Sequence, residues 1–123
     1  NKFCLAVSEE QIMELLWKKD RGMPSKEILD YFNNQGKDWK KQTLNTYLSK
    51  LLERKFIERT SEDRRYLYFP IITKKEYRQK KAEKFIYDAY NGSFLNFVSA
   101  LSGGELISQE NAKEIEKLIE KGD

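Results

Sequence analysis

The sequence predicts a mainly α protein with a small β-hairpin, and three observations predict it. Apolar residues recur at helical spacing in three short segments between residues 8 and 55. The period then drops to about two over residues 56–60 and 66–70, β-prone runs joined by the polar residues 61–65. From Thr73 the helical period returns and extends toward the C-terminus. Three short helices followed by a hairpin is the layout of a winged helix-turn-helix. The chain is therefore expected to divide into a winged-helix domain over residues 1–72 and a helical region over 73–123.

Ser8-Glu9-Glu10-Gln11 reads as a capping box opening the first helix, with Ile12, Leu15, Leu16 and Lys19 on one stripe. Gly22 and Pro24 end it near Arg21. Residues 25–34 form the second helix, with Ile28, Leu29 and Phe32 on its apolar face and Gly36 suited to a left-handed position after its end. The third helix, residues 40–55, carries Leu44, Leu48, Leu51 and Leu52 at i, i+4, i+7 and i+8, with Tyr47 at the margin. Across from that stripe lie Gln42, Thr46, Ser49, Lys50 and Glu53, with Thr43 and Asn45 on its shoulders.

A second capping box, Thr73-Lys74-Lys75-Glu76, opens a long helix to about Tyr90 with an apolar seam of Tyr77, Ala82, Phe85, Ile86 and Ala89. Asn91-Gly92-Ser93 breaks it. Residues 94–101 predict a short buried helix ending at Ser102-Gly103-Gly104, and Ser108 is placed to cap a last helix with Ala112, Ile115, Leu118 and Ile119 on one face.

Composition narrows the chemistry. The 123 residues hold 23 Lys and Arg, 20 Asp and Glu, no His and one Cys, with 39% apolar residues. Seven Tyr, seven Phe and two Trp supply enough bulk for a core. One thiol and no imidazole exclude a Cys/His zinc site, a His-based acid or base, and an internal disulfide. Glu58, Glu62, Asp63 and Cys4 have no His partner, no glycine-rich phosphate loop and no metal cluster beside them in sequence, so no enzyme activity and no cofactor are expected. No apolar run approaches the roughly 18 residues that span a bilayer. A cytoplasmic protein without membrane insertion is the expectation.

Charge is unevenly placed. Residues 1–80 hold 18 basic and 12 acidic side chains, a balance of +6, whereas residues 81–123 carry a balance of −3. A basic front suits a polyanion. On the third helix, Gln42, Thr43, Asn45 and Thr46 are short polar groups of the kind that read base edges in a major groove. Lys40, Lys41, Lys50 and, in the hairpin, Arg64 and Arg65 suit phosphate oxygens. The competing reading is a winged helix that binds another protein while this polar face is merely solvated. In the C-terminal region, Phe85, Ile86, Tyr90, Phe94, Leu95, Phe97, Val98 and Leu101, with Ile115, Leu118 and Ile119, exceed what two helices can hide. A homodimer is the simplest cover.

These residues carry a resemblance. Lys37-Asp38-Trp39 followed by Thr43-Leu44-Asn45-Thr46-Tyr47-Leu48-Ser49-Lys50-Leu51-Leu52-Glu53-Arg54-Lys55-Phe56-Ile57 is similar to the recognition-helix motif of the penicillinase-repressor family. Ile12-Met13-Glu14-Leu15-Leu16-Trp17 and Tyr87-Asp88-Ala89-Tyr90-Asn91-Gly92-Ser93-Phe94 also resemble that family, so the likeness runs from Ser8 to about Leu118. It implies a homodimeric repressor on a palindromic double-stranded operator of TACA/TGTA type. It also implies inactivation, through a membrane sensor with a metalloprotease domain, by cleavage at an Asn-Phe bond, here Asn96-Phe97. The chain departs from the pattern in Asn45, where Arg is common, in Lys40, which replaces a helix-capping Ser, and in Lys55, which replaces Gly. It also lacks the paired C-terminal Cys-x-Cys motifs of the copper-responsive branch. The alternative on this side is a regulator answering a different metal or stress signal.

Overall fold

A computed structural model describes residues 5–103 together with 110, 113, 114 and 117. The chain packs as two units, Asn1–Lys81 and Ala82–Asp123.

The first unit runs α1 (Val7–Lys19), β1 (Met23–Pro24), α2 (Ser25–Asn34), α3 (Lys41–Glu53), β2 (Ile57–Glu62) and β3 (Arg65–Pro70), then enters α4 (Lys74–Tyr90). This is the mainly helical, winged architecture that the periodicities predict. Ile12, Met13, Leu16, Ile28, Leu44, Leu48 and Leu51 are sealed from water between the three helices and the sheet. Each such aliphatic side chain stabilises the fold by about 1.5–3 kcal/mol relative to exposure.

Several local expectations need correction here. Ser8 does not cap α1: the helix starts at Val7 behind Ala6, whose extended backbone carries no side-chain cap. Glu9 is then inside the first turn and buried, with its carboxylate 4.0 Å from the Arg54 guanidinium. The left-handed residue that ends α1 is Asp20, whose N–H donates to the Leu16 carbonyl at 3.1 Å. The hairpin is also tighter than five turn residues. Glu62 faces Arg65 in register, leaving only Asp63 and Arg64 to turn, both at positive φ. That is the type I′ geometry whose twist matches the flanking strands.

The sheet has three strands in the order β1-β3-β2, not two. Met23 and Pro24 pair antiparallel with Tyr68 and Leu67, so β3 is central. Pro24 fits because an edge strand has no need of its missing N–H. Gly22, expected only to stop a helix, is a close approach: a Cβ there would lie 2.6 Å from the Phe69 ring.

α4 begins as expected. The Thr73 hydroxyl accepts from the Glu76 N–H at 3.0 Å and donates to the Glu76 carboxylate at 3.0 Å, and the Thr73 N–H donates to the same oxygen at 3.4 Å. The first turns of this helix are tied to α1 by three polar contacts. The Tyr77 hydroxyl and the Lys81 ammonium donate to one Glu10 oxygen at 2.6 and 2.9 Å, and Lys74 pairs with Glu14 at 2.9 Å. The Trp17 indole donates to the Ile72 carbonyl at 2.8 Å, just before the helix. Tyr77 itself is buried, packed on Trp17 and edge-on to Phe56.

In the second unit α4 ends at Asn91 and Gly92, both at positive φ, and α5 (Phe94–Gly103) follows, its Asn96 N–H donating to Ser93 Oγ at 3.1 Å. α5 is not the buried helix that its composition predicts: Phe94 is 45% and Leu95 73% exposed. The seam expected along α4 is likewise open beyond Tyr77, with Ala82, Phe85 and Ala89 exposed. Cys4, Ser108, Ala112, Ile115, Leu118 and Ile119 lie outside the described residues.

The Tyr77 hydroxyl, then the Lys81 ammonium, hold the Glu10 carboxyl below the usual carboxylate range against the opposing effect of burial. A lowered folded-state pKa stabilises the fold above the unfolded value, about 4.3, and that contribution disappears as pH falls through the folded value. Urea unfolding of the protein and of Glu10→Gln should therefore differ at pH 7 and converge as pH falls below the unfolded carboxylate value of about 4.3 and through the lowered folded value. A difference independent of pH would show that ionised Glu10 does not anchor α4.

Candidate nucleic-acid interface

The orientation of α3 is fixed at three places. Along its length, buried Leu44, Leu48 and Leu51 set its rotation, with Leu52 and Tyr47 half-buried beside them. At its entry the Asn33 side chain grips the backbone of Trp39, donating to its carbonyl at 3.0 Å and accepting from its N–H at 2.6 Å. The Trp39 ring then packs on Phe32 at 4.6 Å and on Tyr47 at 5.3 Å between centroids. At its exit the Phe56 N–H reaches the Leu51 carbonyl at 3.0 Å and the Lys55 N–H the Leu52 carbonyl at 3.1 Å, the Schellman pattern. Lys55 occupies the left-handed position at φ 63°, which costs a non-glycine residue about 1 kcal/mol. This is where the resemblance predicted Gly.

With α3 so held, Gln42, Asn45 and Thr46 are exposed, as are Ser49 and Lys50, while Thr43 is half-buried. The Thr46 hydroxyl donates back to the Gln42 carbonyl at 2.9 Å, so its proton is committed to the helix. Lys40 and Lys41 are exposed at the helix start, where no side chain caps the backbone and no carboxylate occupies the first turn. The unscreened positive end of a helix favours anions. In the hairpin, Arg64 is exposed at the turn and Arg65 is exposed at the first residue of β3.

Sequence reasoning missed two groups. Asn33 lies in the last turn of the predicted second helix, and its partner is a backbone six residues away that leaves no spacing signal. Arg59 was read only as a strand residue, yet its guanidinium stacks 4.1 Å from the centre of the half-exposed Tyr66 ring. Strand alternation with the pairings Arg59↔Tyr68 and Ser61↔Tyr66 puts the two side chains on one face, and that signal was available once the register was known.

The second unit holds a separate cluster. Phe97 packs against Tyr90 at 5.5 Å, Phe85 at 6.1 Å and Phe94 at 6.4 Å between ring centres. Ile86, Tyr90, Phe97, Val98 and Leu101 are half-buried, and Phe85, Phe94 and Leu95 are exposed. Asn96 and Phe97 sit in the first turn and a half of α5. Among the described residues no helix is long and apolar enough to cross a membrane, and no group of three or more acidic, His or Cys side chains is arranged for a metal ion.

Similarity to known proteins agrees with this architecture. The methicillin resistance regulatory protein MecI of Staphylococcus aureus (strain N315) is 24% identical over 117 residues, covering 95% of this chain and 94% of that protein. The penicillinase repressor of Bacillus licheniformis is 23% identical over 117 residues, 95% of this chain and 90% of its own length. The penicillinase repressor of Staphylococcus aureus is 25% identical over 114 residues, 93% of this chain and 86% of its own length. Residues 5–121 match the penicillinase repressor family, and the chain belongs to that family of regulators, whose members are not enzymes.

Proposed function

We propose that the chain is a cytoplasmic, homodimeric repressor that binds a palindromic DNA operator through the exposed face of α3. The observation that carries this reading is the composition of that face. Gln42, Asn45 and Thr46 are exposed on a helix whose opposite side is locked into the core, and Lys40, Lys41 and Lys50 flank them. Gln42 and Asn45 each have the donor and acceptor to pair with adenine, and the Thr43 and Thr46 methyls suit thymine. The lysines, Arg64 and Arg65 neutralise phosphates and fix register without reading sequence.

Dimerisation belongs to the second unit. Phe85, Phe94 and Leu95 expose apolar surface that a second copy would cover, and a two-fold pair presents two copies of α3 to two half-sites. The same reading takes Asn96-Phe97 as the bond cut when a membrane sensor's metalloprotease domain inactivates the repressor. That bond lies within α5 beside the ring cluster, so local opening precedes cleavage and the cut dismantles the dimer surface.

Two measurements test the reading. The triple variant Gln42→Ala/Asn45→Ala/Thr46→Ala should keep its circular dichroism spectrum yet lose about tenfold to a hundredfold of its preference for a TACA/TGTA palindrome over a scrambled duplex. Unchanged preference would remove α3 as the reader. Leu95→Glu, at a 73% exposed position, should sediment as a monomer where the unmodified chain sediments as a dimer. A dimer of unchanged stability would move the interface off α5.

A further inference from the structure

Residues directly opposite each other in an antiparallel ladder share a face, so the register of the hairpin sorts its side chains into two sets. On one face lie Ile57, Arg59 and Ser61 of β2 with Tyr66 and Tyr68 of β3. Ile57 and Tyr68 are buried in the same core as Leu44, Leu48 and Leu51 of α3, so this face is turned toward the helices. On the other face lie Glu58, Thr60 and Glu62, with Arg65 directly across from Glu62.

The charges of the two strands are thereby separated. Both carboxylates of β2 are on the outer face, and the helix-side face carries a single charge, that of Arg59. Beyond Ile57 the hairpin runs past the core, leaving Arg59 and Ser61 exposed and Tyr66 47% exposed. The Arg59 guanidinium lies 4.1 Å from the centre of the Tyr66 ring, and among the described residues no carboxylate pairs with it. Stacking holds the flat cation against the ring and leaves its N–H edge turned outward. A guanidinium restrained in this way loses little further freedom when it forms paired N–H bonds to a phosphate.

We infer that Arg59, positioned by the Tyr66 ring, is a DNA phosphate contact of the hairpin, placed on the same side of the sheet as α3. The inference rests on the proposed DNA-binding reading and adds to it a cation on the face opposite Arg65. The charge of Arg65 is offset by Glu62 across the ladder, whereas no carboxylate of either strand shares a face with Arg59. The contact supplies affinity and carries no sequence information.

Anisotropy titrations of the full chain with a TACA/TGTA palindrome and a scrambled duplex, repeated at several salt concentrations, test this. Arg59→Gln should weaken both duplexes equally, about tenfold near 0.1 M salt, and make the slope of log K against log salt shallower by about 0.9. Arg59→Lys should keep the slope and bind about threefold more weakly, because an ammonium has the charge without the fork. Ser61→Glu, on the face of Arg59, should weaken binding about tenfold, and Thr60→Glu, on the other face, by at most about twofold. That pair leaves the Arg59–Tyr66 contact in place and decides the matter even if Arg59→Gln melts the hairpin. An unchanged slope in folded Arg59→Gln, a loss confined to the palindrome, or equal effects of Ser61→Glu and Thr60→Glu would each overturn the assignment. An unmodified chain that binds both duplexes equally, with the slope still shallower in Arg59→Gln, would overturn the α3 reading and support this contact.

Discussion

The rotation of α3 about its own axis is the constraint on which the rest of this molecule depends. A helix that buries Leu44, Leu48 and Leu51 has no choice about which residues it turns outward, and here those are Gln42, Asn45, Thr46, Ser49 and Lys50. Rotating α3 to face another side chain inward would expose three leucines, a loss of several kcal/mol on a fold whose total stability is about 5–15 kcal/mol. The chemistry of the outward face is thus fixed by the hydrophobic effect acting on the inward one. The Asn33 grip on Trp39 and the Schellman exit through Lys55 and Phe56 then fix where the helix begins and ends.

The two units solve the problem of apolar surface differently. In the first, three helices and a small sheet close around a core in which even Tyr77 of α4 is buried. In the second, rings of Phe85, Tyr90, Phe94 and Phe97 touch one another and still leave much of their area in water. Large exposed aromatic patches are characteristic of surfaces that meet a partner. The dimer proposed above has a physical use for such a surface, and an overall charge of +3 that averages a basic front and an acidic back is consistent with the division.

Much of this was legible in the sequence because the signals were periodic or local. Helical spacing located α2, α3 and α4 closely, and Thr73-Lys74-Lys75-Glu76 forms the capping box its residues predict. The same four-residue pattern at Ser8 misled, because Val7 and Ser8 are already helical and the capping position passes to Ala6. β1 escaped notice since two residues have no period, and Pro24 argues for a break unless the neighbouring strand is known. On α3, the outward residues followed from the leucine spacing. The contacts that tension the site, Asn33 with Trp39 and Arg59 with Tyr66, depend on tertiary register and could not be read from spacing alone. For α5, apolarity was visible but what covers it was not, since a sequence does not say whether a face is buried by its own chain or by another.

The most direct test of the central claim is an anisotropy titration of a TACA/TGTA palindrome and a scrambled duplex across a range of salt concentrations. If lysines and arginines beside α3 neutralise about six phosphates, log K falls against log salt with a slope near −5 for both duplexes. The palindrome remains the tighter ligand throughout, because base contacts add to the phosphate contacts without replacing them. Equal affinity for the two duplexes, or a slope near zero, would contradict the account.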